Sequence, residues 1–247
     1  MENSYWRNKV AVVTGASVGI GASTAVLLAN AGMSVVGLAR RVRLIETLND
    51  QVKGEGKIFA YECDLNDELQ LTSAFTWIRE KFHCIHVLVC NAGILKANFL
   101  SESSTKDIKE LFDTNVVATA SCLREGLKLM AEANVRGHIV VMNSVLGHRI
   151  PEVPVPLFSV YPATKHAITA LCQTVRQEIH FLKLNIKLTS ICPGMVDTEF
   201  LSVYSEAVAE LPKLQPLEVA KAVLYALDTP DGVQVEEIIL QQMRKVN

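Results

Sequence analysis

Tyr161 and Lys165, in the run Tyr161-Pro162-Ala163-Thr164-Lys165, set a phenol and an ammonium four positions apart. On a helix that interval stacks both groups on one face, with a rise of roughly 6 Å between them. Pro162 suits a first helical turn, so the helix is expected to begin at about Tyr161. A free phenol, with a pKa of about 10, is a poor acid–base group near neutrality. A neighbouring Lys⁺ favours the phenolate, and lowering the pKa by about three units takes roughly 4 kcal/mol of differential stabilisation. Taken alone, the pair reads as a surface contact. Ser144 changes that reading. It ends the apolar run Val140-Val141-Met142-Asn143-Ser144, where its hydroxyl would hold a substrate oxygen beside the phenol.

A second constellation lies near the N-terminus. Thr14-Gly15-Ala16-Ser17-Val18-Gly19-Ile20-Gly21 follows a strand-like run, Val10-Ala11-Val12-Val13, and opens a helical pattern. Glycines there let the backbone turn tightly and approach a pyrophosphate, and the helix N-terminus beyond supplies unpaired N–H groups. The next strand candidate ends Gly37-Leu38-Ala39-Arg40-Arg41. Where an acid would hold a ribose 2′-OH there is Ala39, followed by two guanidinium groups that suit a 2′-phosphate. The bland reading, a solvated helix start, leaves two cations at the unfavourable end of a helix dipole without a reason. NADP(H) is therefore expected rather than NAD(H). Asp64 follows the third strand candidate, as an acceptor for the adenine amine or as a plain helix cap. In Asn91-Ala92-Gly93, after the fourth, small residues would let the chain pass close to the cofactor.

The elements that must position these groups alternate along the chain. Strand candidates are Val10–Val13, Ser34–Leu38, Lys57–Tyr61, His86–Cys90, His138–Met142, Lys187–Ile191 and Val235–Leu240. Most are continuous apolar runs, as expected of a parallel sheet covered on both faces. Helical patterns fall near 20–32, 41–53, 67–82, 105–133, 162–182 and 216–227. The alternation predicts an α/β fold over residues 1–247, one Rossmann-type domain with a doubly wound sheet of about seven parallel strands flanked by helices. Two long loops, Ser144–Val160 and Pro193 to about Gln215, follow strands and so emerge at the carboxyl edge of the sheet, where such folds bind ligands. Val145, Leu146, Ile150, Val153 and Phe158 from the first, with Phe200 and Tyr204 from the second, are read as an apolar substrate pocket. It would suit an isoprenoid alcohol, a steroid or an aliphatic carbonyl. That some of these side chains only pack the loops down is the alternative. Lys96, His148 and Arg149 are read as solvated.

Composition narrows the class. Lys and Arg number 24 against 26 Asp and Glu, a net charge of -2 with no long basic run, so a nucleic-acid partner is not expected. No secretory leader and no membrane span is expected, and the reading is of a cytoplasmic protein. The six cysteines show no CxxC or metal-ligand spacing and are read as reduced core residues, with no metal.

Thr14-Gly15-x-x-x-Gly19-x-Gly21, Asp64, Asn91-Ala92-Gly93, Asn115, Ser144, Tyr161-x-x-x-Lys165 and Pro193-Gly194 agree in order and spacing with one family. By these residues the chain resembles the short-chain dehydrogenases/reductases over essentially its whole length. Val35–Arg41 and the Pro-rich stretch after Ser144 resemble the subgroup of insect farnesol dehydrogenases and vertebrate keto-steroid reductases. The resemblance implies an oxidoreductase interconverting an alcohol and an aldehyde or ketone. Tyr161 would be the acid/base, and Lys165 would lower its pKa and hold the nicotinamide ribose. Ser144 would position substrate, and Asn115 would support a water-linked proton relay. It implies a cofactor surface of Gly15, Ser17, Val18, Gly19, Ile20, Gly21, Arg40, Arg41, Asp64, Leu65, Asn91, Ala92, Gly93, Tyr161, Lys165, Pro193, Gly194, Val196 and Thr198. It also implies a homodimer or homotetramer, with the apolar helices at 105–133 and 162–182 pairing across a two-fold axis. Two departures stand out. Val18 replaces a commonly small polar residue of the loop, and the 17-residue separation of Ser144 and Tyr161 leaves room for an inserted substrate loop. A protein that binds NADP(H) without turnover, as a redox sensor or scaffold, is the competing class; it would need only the glycine loop and the arginines.

Overall fold

The computed structural model describes residues 4–153, 156–204 and 211–243. Seven strands form: β1 (Val10–Thr14), β2 (Ser34–Ala39), β3 (Lys57–Glu62), β4 (Val87–Cys90), β5 (Gly137–Met142), β6 (Ile186–Pro193) and β7 (Glu237–Leu240). They make one parallel sheet in the order β3-β2-β1-β4-β5-β6-β7. The helices are α1 (Gly19–Asn30), α2 (Val42–Glu46), α3 (Glu68–Phe82), α4 (Thr105–Phe112), α5 (Ala118–Glu132), α6 (Tyr161–Phe181) and α7 (Pro216–Asp228).

The two-residue period of the strands divides the core. Val10 and Val12 of β1 face a cluster with Leu71 and Ile78 of α3, Leu123 and Met130 of α5, and Ile168 and Ile179 of α6. Ala11 and Val13 face the other way, against Leu28 of α1, Ile45 of α2 and Val223 of α7. Each of the valine, leucine, isoleucine and methionine side chains among these contributes about 1.5–3 kcal/mol by leaving water. Chain order reverses direction across the sheet between β1 and β4, and this opens a crevice at their carboxyl ends.

Three segments differ from their sequence patterns, each because a side chain takes over backbone hydrogen bonding. The pattern at 41–53 gives only the short α2, followed by a 3-10 turn, Thr47–Gln51. There the Asn49 amide bonds both backbone groups of Ile58, accepting from its N–H (3.0 Å) and donating to its carbonyl (2.9 Å). The strand expected from Val235 begins at Glu237, because the Gln234 side chain already pairs with both the N–H and the carbonyl of Leu188. The pattern at 105–133 is broken by a wide π turn, Asp113–Val117, between α4 and α5. Asn115 sits in that turn with its amide turned away to Ile94, and the Thr119 hydroxyl donates to its carbonyl (2.9 Å).

Candidate active site

The crevice floor is a clasp between the turns that follow β1 and β4. The Thr14 hydroxyl accepts from the N–H groups of Asn91 (3.0 Å) and Ala92 (3.1 Å). In return Asn91 Nδ2 donates to the carbonyls of Thr14 (3.0 Å) and Gly15 (3.3 Å). Gly15 has φ +65°, and a Cβ on it would stand 2.9 Å from the Ala92 backbone, so only glycine fits. Gly19, at φ +60°, would press a Cβ to 3.0 Å from Thr198, on the loop after β6. Val18, extended at φ -151°, precedes α1 and provides no side-chain cap, and no acid lies in the first turn. Backbone donors without a side-chain acceptor, reached past glycines, fit an anionic pyrophosphate. Ser17, Val18, Gly19 and Ile20 are half-buried on this rim. Thr14 opens the glycine motif, yet its clasp role is not visible in the sequence, because its partners lie 77 and 78 positions away.

β2 leads into the same crevice, and Gly15 N–H donates to Leu38 (2.8 Å). Beyond it Arg40 and Arg41 are exposed. Arg41 reaches Glu199, on the loop after β6, at 3.0 Å. Both side chains are more than half exposed, so the pair adds little stability. Asp64, half-buried, accepts from Asn66 N–H (3.0 Å), while the cap of α3 is Asp67. The side chain of Val196 is buried in the core, and that of Leu65, half-buried, packs against it. Pro193 ends β6, and Gly194 N–H donates to Leu240 (2.7 Å).

Tyr161 is the first residue of α6, as Pro162 predicts, and is buried with Lys165 and Ser144. The Lys165 ammonium donates to the Met142 carbonyl at 2.9 Å and lies 5.7 Å from the Tyr161 ring centre. Burial pushes its pKa down to about 8, although the cysteine sulfurs at 192 and 172 oppose the shift. Ser144 stands just past the end of β5, its Oγ accepting from Leu146 N–H (3.1 Å) and so capping the short turn Val145–Gly147.

Asn115 ties this group to the crevice. Its amide accepts from Ile94 N–H (2.8 Å) and donates to the Ile94 carbonyl (3.0 Å) and to the Thr164 hydroxyl (3.2 Å). Thr164 in turn donates to the Tyr161 carbonyl (2.7 Å). The chain enters α6 through Ser159, at φ +43°, whose hydroxyl pairs with Ser103 (2.6 Å). Thr164 and the Met142 carbonyl were not expected in the site. The first reads as helix filler, and a backbone carbonyl has no signature in sequence.

Of the expected apolar pocket, Phe200 meets Tyr161 edge-on, with ring centres 5.9 Å apart. Val145, Leu146 and Phe158 are half-buried. Ile150 and Val153 are 59% and 37% exposed and do not pack down. The side chain of Tyr204 lies outside the described residues. Lys96 is not a solvated cation: it is held between Asp107 and Glu110 of α4, whose hydrogen bonds raise its pKa. His148 pairs with Glu237, and Arg149 is exposed. All six cysteines are free thiols, five of them buried. No helix among the described residues is long and apolar enough to cross a membrane.

Residues 9–209 match the family described as short chain dehydrogenase. Farnesol dehydrogenase of Aedes aegypti is 42% identical, with 96% of each chain covered. Dehydrogenase/reductase SDR family member 11 of Mus musculus is 39% identical, covering 98% of this chain and 96% of that protein. Among solved structures, an alcohol dehydrogenase from the archaeon Thermococcus sibiricus, complexed with 5-hydroxy-NADP, superposes with a TM-score of 0.85. It is 28% identical, with 97% of this chain and 100% of that chain covered.

Proposed function

The chain belongs to the short-chain dehydrogenase family and is thereby an oxidoreductase; from that premise we propose that it uses NADP(H) to interconvert an alcohol and an aldehyde or ketone on a small apolar substrate. The observation that carries the reading is the buried ammonium of Lys165, held by the Met142 carbonyl close to the Tyr161 ring, with Ser144 buried nearby. A cation kept out of water there lowers the cost of a phenolate, because the low local dielectric leaves little screening between them. Bound NADP(H) supplies or takes up the hydride. In the oxidative direction the alcohol proton passes to the Tyr161 oxygen; in reduction the phenol returns it to the carbonyl oxygen. Ser144, whose Oγ already accepts from Leu146 N–H, keeps its hydroxyl proton to donate to the substrate oxygen. Asn115 holds the start of α6 in register through Thr164 and supports the relay that resupplies the proton at Lys165.

For the cofactor, Gly15 to Gly21 with the first turn of α1 take the pyrophosphate. Arg40 and Arg41 take the 2′-phosphate, Arg41 exchanging Glu199 for it. Asp64 meets the adenine, and Asn91–Gly93 with Pro193–Thr198 flank the nicotinamide half. Val145, Leu146, Phe158 and Phe200 favour an isoprenoid alcohol, a steroid or an aliphatic carbonyl, and the name of the Aedes aegypti relative makes farnesol the first compound to try. A homodimer or homotetramer accompanies this reading. A cavity of about 360 Å³ between α5 and α6, lined by Leu123, Leu127, Leu171 and Leu182, offers an apolar face for a second copy, and light scattering of the purified chain measures the mass.

Substituting Tyr161→Phe tests the mechanism. With farnesol, retinal, steroid and short aliphatic panels followed by nicotinamide absorbance, turnover should vanish while NADPH still quenches protein fluorescence. Turnover retained by the purified variant would exclude Tyr161 as the acid/base.

A further inference from the structure

His148, Cys192 and Glu237 come from three separate segments: the turn after Ser144, the end of β6 and the start of β7. Their donor atoms converge on one point. His148 Nε2 lies 2.9 Å from Glu237 Oε1 and 3.4 Å from Cys192 Sγ, and the sulfur lies 3.3 Å from the same carboxylate oxygen. For an ion bound at about 2.3 Å to sulfur and 2.0–2.1 Å to nitrogen and oxygen, the edges of a tetrahedron run from about 3.3 to 3.6 Å. The observed edges are all shorter than these, by about 0.2 Å for sulfur–nitrogen, about 0.3 Å for sulfur–oxygen and about 0.4 Å for nitrogen–oxygen. The partly exposed Glu237 carboxylate and His148 ring must therefore open outward by roughly a few tenths of an ångström to admit an ion, and β6 need not repack.

Access and charge agree with this geometry. Cys192 is fully buried, but the His148 and Glu237 side chains that cover it are 28% and 32% exposed. They border a cavity of about 170 Å³ that Ser190 and Cys172 also line, which gives room for water as a fourth ligand. Arg176 lines it too, but its guanidinium is held by the carbonyls of Leu188 and Glu236. A thiolate and a carboxylate neutralise a divalent charge, and one sulfur, one imidazole and one oxygen select zinc-class ions over magnesium or calcium.

We propose that His148, Cys192 and Glu237 form a binding site for a zinc-class divalent cation, outside the dinucleotide crevice, that fastens the turn carrying Ser144 to β6 and β7. The apo protein satisfies the same atoms by hydrogen bonding, so the ion is an addition to a folded chain and not a condition of folding. Its entry displaces the thiol proton to solvent. The cysteine spacing gave no metal because no two of the three ligands share an element.

Cobalt(II), added to the full reduced chain without dinucleotide, tests the proposal. One equivalent should produce the ligand-field bands of a tetrahedral site together with sulfur-to-cobalt charge transfer, and zinc should erase both. Cys192→Ser should abolish the charge transfer and Cys172→Ser should leave it. His148→Gln and Glu237→Gln, at partly exposed positions, should each weaken cobalt by more than about tenfold relative to the parent. If Cys192→Ser does not fold, these two variants decide. Absence of the bands, their survival in Cys192→Ser, or equal affinity in the His148 and Glu237 variants would overturn the assignment.

Discussion

Removing the Lys165 charge should reveal what its burial costs. Its pKa stands at about 8 against an ordinary 10.5. That difference is worth roughly 3 kcal/mol, at about 1.4 kcal/mol per unit. The sign follows from proton binding. Between the folded and unfolded values the unfolded chain holds the extra proton, so stability rises with pH across that window. The penalty is complete below about pH 8, and by pH 10 has fallen to roughly 1 kcal/mol. Lys165→Met removes the penalty at every pH but leaves the Met142 carbonyl without its donor, a loss of about 1–3 kcal/mol that does not titrate. The absolute stability change at neutral pH is therefore small. The stability of Lys165→Met relative to its parent, by contrast, should fall by about 2 kcal/mol on going from pH 7 to pH 10. Urea unfolding of the cofactor-free chain, followed by tryptophan fluorescence under reducing conditions, measures this. Both proteins should also carry Tyr161→Phe, so that the neighbouring phenol does not titrate. A gap that stays constant over this range would show that Lys165 is not a desolvated cation, and the electrostatic argument for the phenolate would fail with it.

Three other expectations follow from titration and charge. His138 is buried between Thr189 and Trp6, its Nδ1 without a hydrogen-bond partner among the described residues, and burial holds its pKa down at about 3. Because the unfolded side chain protonates near 6.5 and the folded one does not, stability should fall with pH below that value. The loss should be about 2 kcal/mol by pH 5, and His138→Gln should flatten the curve by that amount; a variant parallel to the parent in denaturation at both pH values would contradict this. Arg40→Ala with Arg41→Ala should weaken NADPH about tenfold or more and NADH far less, whereas Glu199→Gln, by releasing Arg41, should tighten NADPH a few-fold at low salt. Equal responses of the two cofactors in fluorescence titrations would remove the 2′-phosphate from these arginines.

The parallel sheet is legible because its strands are uninterrupted apolar runs, and the crevice because Gly15, Gly19 and Gly21 follow the first of them directly. Tyr161 and Lys165 declare themselves by helical spacing, and Pro162 marks the helix start at the residue where it begins. What escapes a linear reading is contact between distant segments. Asn115 came from family resemblance alone, since its amide is satisfied by Ile94, 21 positions earlier. The π turn around it leaves no mark in an apolar periodicity that continues on both sides. Asn49 and Gln234 shorten α2 and β7 through side chains that imitate a neighbouring strand. The two carboxylates that hold Lys96 lie 11 and 14 residues ahead, so the sequence shows it only as an isolated cation.

The Thr14 clasp has a kinetic meaning. Four hydrogen bonds already join the two turns on which a dinucleotide would rest, so the entropy of shaping that surface is spent during folding and not at each encounter. Ligand capture there should be limited by arrival and orientation, without a slow rearrangement of the floor. Gating is then left to the opposite wall, where Glu199 meets Arg41 and Phe200 meets Tyr161.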